Sequence, residues 1–518
     1  MPEFILSNAE AAAVDRYAIE ELQIPGTELM FKAGNFVALK AKKLIQDIPN
    51  SRIDLFCGIG NNGGDGFVAA LLLSEWGANC IIWLIGDPQN IKGDARHFYQ
   101  KWVESKQTIR CIKTAEDFEE YSDLPESDLI IDAMLGTGFH GEVQGIIADV
   151  IRRINNINLP VIAVDIPSGV NGDTGEVRGD AVKADYTVTM GFLKRGLLFY
   201  PGKRFAGEIV VVDLGYPRKA FDILKEKTFL IGKQDVKKVI PPIAEDTYKH
   251  RQGKVLIIAG SPGMTGAATL CALGAMRSGA GLVVNAIPKS LNPIMEVKLT
   301  EALTAPLPES SQQTFCLESL TALQSRLEWS DVVVFGPGVS DNVEVQEFGQ
   351  QLITKCHKPL VIDADGLRIF HNNLELIGTI EDLTITPHRG EFAMMTGIAV
   401  AEVNKNVIEV ARDFVRKYPC TLVLKGAPSV VVSSTGVVAV NSTGNPALAT
   451  GGTGDVLTGI IAAFRAQGLN SFDAAMAGTS IHGLAGDWGR KKLGVRAFIA
   501  SDLLDYLPLI LRRLDRVI

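Results

Sequence analysis

RIDLFCGIGNNGGDGFVAALLLSEWG (52–77) is the stretch on which the fold turns. RIDLFCG (52–58) is a short, nearly continuous apolar run of strand length, and FVAALLLSEWG (67–77) reads as a helix. GNNGGDG (60–66) joins the two. A buried strand, a glycine turn and a helix form one repeat of a parallel sheet covered on both faces. Outward from it, NCIIWLIG (79–86), DLIIDAML (128–135), PVIAVDIP (160–167) and GEIVVVDLG (207–215) read as further strands, with GDARHFYQKWVES (93–105) as a helix between them.

The pattern breaks across 216–250, which is rich in Lys and carries the pair Pro241–Pro242. It restarts at GKVLIIAG (253–260) and continues through DVVVFGPG (331–338), PLVIDADG (359–366), LTITPH (383–388) and TLVLKG (421–426). Two different α/β domains are therefore expected, 1–224 and 225–518, with no obvious internal repeat. At 518 residues and 47% hydrophobic, the chain can bury a core in each. A net charge of -8 points to neither nucleic acid nor an acidic membrane. The seven cysteines stand singly, without a CxxC pair, which argues for reduced thiols and against structural zinc. The acidic start MPEFILSNAEAAAVDRYAIEEL lacks a signal-peptide pattern, and no apolar run spans a membrane, so a soluble cytoplasmic protein is expected.

In the first domain the polar residues gather at strand ends. GNNGGDG offers amides at a helix start, where an anion can bind, together with Asn61, Asn62 and Asp65. DAMLGTGFHGE (132–142) places Asp132 at one strand end, and VDIPSG (164–169) places Asp165 and Ser168 at another. Lys194, in MGFLKRG, follows a further strand candidate. A single such Asp is most simply a helix cap. Three motifs at the carboxyl ends of parallel strands instead point to one ligand crevice.

GNNGGDG, DAMLGTGF and VDIPSG, in this order, resemble the NAD(P)H-hydrate epimerase family over roughly 1–220. The resemblance implies a Rossmann-like three-layer domain that interconverts the R and S hydrates at C6 of the nicotinamide. It also implies that Asn61, Asn62, Gly63, Gly64 and Asp65 contact the dinucleotide, as do Gly136, Thr137, Gly138, Phe139, His140, Gly141 and Glu142. Asn62, Asp132 and Ser168 would hold potassium, Asp165 would be the main catalytic and substrate-contacting group, and Lys194 a second catalytic candidate. Epimerising a hydrate calls for an acid–base group near the carbinol carbon, which suits that assignment.

The second domain is richest near its end, in KGAPSVVV (425–432) and NSTGNPALATGGTGDVLTGIIAAF (441–464). GGTGD (451–455) opens an apolar helical run, so backbone amides and the helix dipole can receive an anion there, without the GxxxxGK[ST] of a P-loop. Asp455 suits either an N-cap or a base acting on a hydroxyl near a phosphate. Glycine turns recur in GPGVS (336–340) and GSPGMTGAA (260–268), DADG (363–366) offers weak Mg²⁺ ligation, and TPHRGE (386–391) sets His388 and Glu391 just past a strand, where a structural and a catalytic His are equally expected.

Together with GAGLV, HGLAGD and ASDLLDYLP, these motifs resemble the ribokinase-like ADP-dependent NAD(P)H-hydrate dehydratases over roughly 230–515. By that resemblance Lys425, Gly426, Ala427, Pro428 and Ser429 bind ADP with Mg²⁺, along with Asn445, Pro446, Ala447, Leu448, Ala449, Thr450, Gly451, Gly452, Thr453 and Gly454. Ala267, Gly338, His388, Arg389, Gly390, Glu391, Phe392, Ala393, Met394 and Asp455 would contact the hydrated dinucleotide, with Asp455 catalytic. GPGVS, Gly366, Ala447 and Leu448 depart from the usual family residues without removing a charged group. A homo-oligomer acting on small molecules is implied. The alternative is a vitamin-precursor kinase fused to a non-catalytic binding module, since a fold does not fix a function.

Overall fold

Arg52–Cys57 (β2) is buried from Ile53 onward and pairs in parallel on both sides, with Asn79–Ile85 (β3) and Leu129–Ala133 (β5). These neighbours were fixed in a computed structural model that describes residues 3–114, 117 and 126–517. Alternate side chains of β2 enter different cores. Ile53, Leu55 and Cys57 pack with the helices Gly26–Leu44 and Asn61–Glu75, while Phe56 packs with Trp83 and the helix Gly145–Asn156. Period-two alternation with both faces apolar is why the run reads as continuously hydrophobic.

Ile109–Ile112 (β4), Val161–Val164 (β6), Tyr186–Met190 (β7) and Glu208–Val212 (β9) complete a seven-stranded sheet in the order β4-β3-β2-β5-β6-β7-β9. Every pairing in it is parallel. Glu3–Leu6 (β1) and Leu193–Lys194 (β8) pair separately, also in parallel. The chain order reverses between β2 and β5, and a ligand crevice is expected at the carboxyl ends there. These elements make up one of two compact units, Glu3–Lys225; the other runs from Glu226 onward.

The second unit contains Thr228–Leu230 (β10), Lys254–Ile258 (β11), Leu282–Pro288 (β12), Leu303–Leu307 (β13), Val332–Phe335 (β14), Leu360–Ile362 (β15), Leu383–Ile385 (β16), Thr421–Leu424 (β17), Ser429–Val432 (β18) and Val438–Asn441 (β19). Their order is β13-β12-β11-β14-β15-β16-β17-β18-β19-β10, with only β17–β18 and β18–β19 antiparallel. One face packs on the helices Thr265–Arg277, Thr453–Ala466, Ser471–Leu493 and Asp502–Leu511. On the other, Phe335 meets Phe348 of the helix Val343–Lys355, with ring centroids 5.9 Å apart. The reversal of order here falls between β11 and β14.

Strands absent from the sequence reading are mostly short or at an edge. β4 is IRCI, with a charge in its middle, and β13 is LTAPL, whose Pro306 an edge strand tolerates. β10 lies inside the Lys-rich stretch that breaks the pattern. Among the described residues no helix is long and apolar enough to cross a membrane. The cysteines form no disulfide; Cys111 is exposed and the other six are buried.

Gly63 and Gly66 of GNNGGDG stand where packing leaves no space for a side chain. A Cβ at Gly63 would sit 1.9 Å from the carbonyl oxygen of Gly58, and one at Gly66 would sit 2.7 Å from Cys57 Sγ. Helix propensity alone favours Ala over Gly by about 1 kcal/mol. At Gly63 the backbone clash outweighs it, so Gly63→Ala is expected to cost about 1–3 kcal/mol, read as a lower urea midpoint. A raised midpoint would show that the turn relaxes freely.

Two candidate active sites

Four spatially consecutive strands, β2, β5, β6 and β7, supply the polar residues of the first site. After β2, the helix Asn61–Glu75 begins at the N-cap Gly60, and its buried Asn62 donates from Nδ2 to the carbonyl of Leu135 at 3.1 Å. Asp132, at the end of β5 and fully buried, accepts from the Ser168 hydroxyl at 2.6 Å and from the Ser168 amide at 2.8 Å. The amide of Leu135 donates in turn to Ser168 Oγ at 2.9 Å. The three residues expected to hold a cation thus gather around the segment Met134–Leu135. Asp132 caps no helix. Burial lifts its carboxyl to about 6, against the hydrogen bonds from Ser168 and Met134.

Asp165, directly after β6, has a φ of 64°, rare for a non-glycine residue. That geometry turns its carboxylate toward β7, where Oδ1 accepts from the Met190 amide at 3.1 Å and the Thr189 hydroxyl at 3.2 Å. Lys194 reaches the same oxygen from 2.5 Å and also donates to the Met190 carbonyl at 2.8 Å. Its side chain is 3% exposed, so the ion pair is almost wholly desolvated. Asp65 faces the pair, and burial raises its carboxyl well above the usual range, with Asp165 adding to the shift. In the loop after β5, Gly138, His140, Gly141 and Glu142 are exposed, while Asn8 of the helix Asn8–Glu20 holds the Thr137 carbonyl at 2.8 Å.

The second site has the same plan. Lys425, after β17, is paired with Asp363 at the end of β15 at 2.7 Å and lies 3.8 Å from Glu391. Asp363, 1% exposed, accepts on its other oxygen from Thr458 at 2.6 Å. Thr458 belongs to the helix Thr453–Ala466, whose N-cap is Gly452 with φ 93°, a left-handed conformation that favours glycine. Asp455 is therefore inside the first turn, not at the cap. Burial first, then Asp363, lifts its carboxyl to about 7, while Lys425 opposes the shift. A Cβ at Gly454 would lie 3.3 Å from the Lys425 ammonium, so the helix start and the ion pair approach each other closely. His482, fully inside and pushed by burial down to about 4, is neutral and donates from Nε2 to the Thr453 carbonyl at 2.9 Å.

Around this cluster, Gly338 nearly touches Ala267, a Cβ there lying 3.0 Å from that of Ala267. Asn445 and the amide of Gly444 are both held by Asp487, at 2.8 and 3.1 Å. His388 caps the helix Arg389–Thr396: Nδ1 accepts from the amides of Gly390 and Glu391 at 3.0 and 3.1 Å, while the rest of the ring stays exposed. Phe392 is fully buried against Phe414, with centroids 5.1 Å apart, so only its backbone faces the site. Ala447 is likewise buried, so its side chain serves packing. Asp363 and Thr458 were not expected in this role. DADG after the run LVI was the available signal for the first, and nothing local marks the second.

A family model described as NAD(P)H-hydrate dehydratase matches residues 255–509, and one described as YjeF-related protein N-terminus matches 26–196. A bifunctional NAD(P)H-hydrate repair enzyme Nnr of Moorella thermoacetica is 37% identical over 519 residues, covering 99% of this chain and 97% of its own length. The chain belongs to the bifunctional NAD(P)H-hydrate repair enzyme family. A second member of the family, from Thermofilum pendens, is 36% identical over 98% of this chain and 96% of its own length. Among solved structures, an ADP/ATP-dependent NAD(P)H-hydrate dehydratase of Bacillus subtilis, co-crystallised with ATP and Mg²⁺, is 27% identical, covers 55% of this chain and 98% of itself, and gives a TM-score of 0.47.

The Asp132 shift has a consequence for the fold of this family member. Its carboxyl holds a proton up to about pH 6 when folded but only to 3.8 when exposed, so its contribution to stability is present below 3.8 and lost as pH rises through 6. In thermal denaturation without added cations, the melting temperature of the wild type minus that of Asp132→Asn is expected to fall between about pH 4 and about pH 7. A pH-independent difference would mean that the buried carboxyl titrates as in the unfolded chain.

Proposed function

We propose that the unit Glu3–Lys225 epimerises the R and S hydrates of NADH and NADPH, and that the unit from Glu226 onward dehydrates the S epimer with ADP, releasing AMP and phosphate. The observation that carries the second half is Asp455. Its carboxyl, held at about 7, stands beside the Lys425–Asp363 pair in the first turn of a glycine-capped helix. A carboxyl poised near neutrality takes a proton efficiently at physiological pH. Asp455 would accept the proton of the C6 hydroxyl as that oxygen attacks the β-phosphorus of ADP and AMP departs. The free amides at the start of the Thr453–Ala466 helix would receive the phosphoryl charge, and Lys425 would balance it. The C6–O bond then breaks with phosphate as leaving group, and loss of a proton from C5 restores the double bond. Phosphate leaves far more readily than hydroxide.

Mg²⁺ would come with the nucleotide phosphates, and Asp363 and Asp455, beside Lys425, are carboxylates that could hold it through water. Potassium suits the first unit's donor set. Asp132, Ser168, Asn62 and the Leu135 carbonyl bring oxygens together around one buried carboxylate, whose charge a monovalent cation would offset. In that unit the desolvated Asp165–Lys194 pair supports acid–base work at the carbinol carbon: the ammonium can give a proton to the departing hydroxyl, and the carboxylate can take one from the incoming water. The same proposal has the enzyme working in the cytoplasm as a homo-oligomer.

Recovery of NADH absorbance from mixed R and S hydrates tests both halves. Full recovery with ADP, faster than spontaneous epimer exchange, is expected; recovery that stops at the S fraction would reduce the first unit to a binding module, and none at all would favour a vitamin-precursor kinase. Asp455→Ala should cut dehydration by about a hundred-fold or more while epimerisation persists. Asp165→Ala should do the reverse, and equal loss of both activities in either variant would sink the two-site reading. Wild-type dehydration should rise with pH through about 7 as Asp455 becomes a carboxylate.

A further inference from the structure

The family model matches 26–196, yet the first unit's site does not end there. Two residues outside that segment meet directly behind Lys194. Asp15, on the helix Asn8–Glu20, accepts a short hydrogen bond from the hydroxyl of Tyr216 across a sequence separation of 201 residues. The Tyr216 ring stacks on Phe192 at 5.9 Å, and the Lys194 ammonium lies 4.8 Å from the centre of that same Phe192 ring. Phe192 therefore links the two pairs, bearing Lys194 and stacked with Tyr216. Gly191 makes the arrangement possible, since a Cβ there would stand 2.5 Å from Tyr216 Cε2.

The same helix touches the site at two further points. Asn8 holds the Thr137 carbonyl, and Glu10 pairs with Arg195, the residue after Lys194, at 3.0 Å. Asn8 and Asp15 are seven residues apart, two helical turns, and so share a face. Electrostatics agree with the geometry. Burial raises the Asp15 carboxyl against the pull of Tyr216 and Lys194, and burial with Asp15 pushes the Tyr216 phenol up, so it stays a hydrogen-bond donor.

We propose that Asp15 and Tyr216 are positioning residues of the first site: their hydrogen bond fixes the aromatic wall against which Lys194 is held for proton transfer at the hydrate carbon. This rests on the epimerase reading above.

Tyr216→Phe keeps the ring and its stacking and removes only the hydroxyl; Asp15→Asn keeps the shape and removes the charge. Epimer exchange would be followed by nuclear magnetic resonance on separated R and S hydrates, with ADP-driven dehydration of pure S hydrate as an internal check on the other unit. Each variant is expected to lower kcat for epimerisation about ten- to hundred-fold while KM changes by less than about two-fold. The double variant should be no slower than the slower single one, because both act through one hydrogen bond. Dehydration of S hydrate should stay at the wild-type rate. Epimerisation at the wild-type rate in Tyr216→Phe, losses that multiply in the double variant, or a KM effect without a kcat effect would each overturn the proposal. If Tyr216→Phe fails to fold, Asp15→Asn decides on the same kcat criterion. A wild-type protein that does not accelerate epimer exchange would overturn the epimerase reading itself, an outcome distinct from any of these.

Discussion

Parallel strand pairing governs this molecule. Two parallel neighbours cannot be joined by a hairpin, so each strand must be followed by a crossover that returns the chain to the start of the next. All carboxyl ends then fall on one edge of the sheet, and whatever follows them emerges side by side. In the first unit, residues distant in sequence, Asn62, Asp132, Asp165 and Lys194, become neighbours for this reason alone. In the second, Asp363, Glu391 and Lys425 follow β15, β16 and β17.

Both edges carry the same electrostatic device, a desolvated lysine–carboxylate pair. Lys194 with Asp165 and Lys425 with Asp363 each set a mobile side chain into a fixed position by depriving both partners of water. Removing one member would strand the other charge in a poorly solvating site, which is costly. The pairs differ in what stands beside them. Next to Lys425 is Asp455, on a helix start with free amides, an environment suited to phosphate. Next to Lys194 are Asp65 and an aromatic wall of Phe192 and Tyr216, so a second carboxylate and two rings crowd the ammonium.

The central strands were legible in the sequence because burial on both faces leaves a nearly unbroken apolar run, as in LIIDA of β5 and in β2 and β11. Edge strands are half in water and need no such run, so IRCI and LTAPL carry no signal. At the sites, Asp165, Lys194 and Asp455 were legible as polar residues directly after strands or at a helix start. The glycines of GNNGGDG were visible too, but Gly63 answers a close approach to the Gly58 backbone and Gly66 one to the Cys57 and Ala133 side chains, demands that no pattern separates from ligand binding. Phe392 sits amid polar neighbours in the sequence, yet its helix turns it into the core. Asp15 and Tyr216 were beyond reach because their contact exists only after the whole first unit has closed around it.

The distribution of thiols has a practical side. Burial drives Cys57 and Cys271 far from the thiolate form, and these two lie near Asp132 and Asp455 respectively. Cys111 stands alone on the surface, on the edge strand β4, away from the carboxyl ends of β6 and β7. Nature has thereby left a single chemical handle: a maleimide dye would mark the native protein at one known point, with both reaction centres untouched and ready for observation by fluorescence.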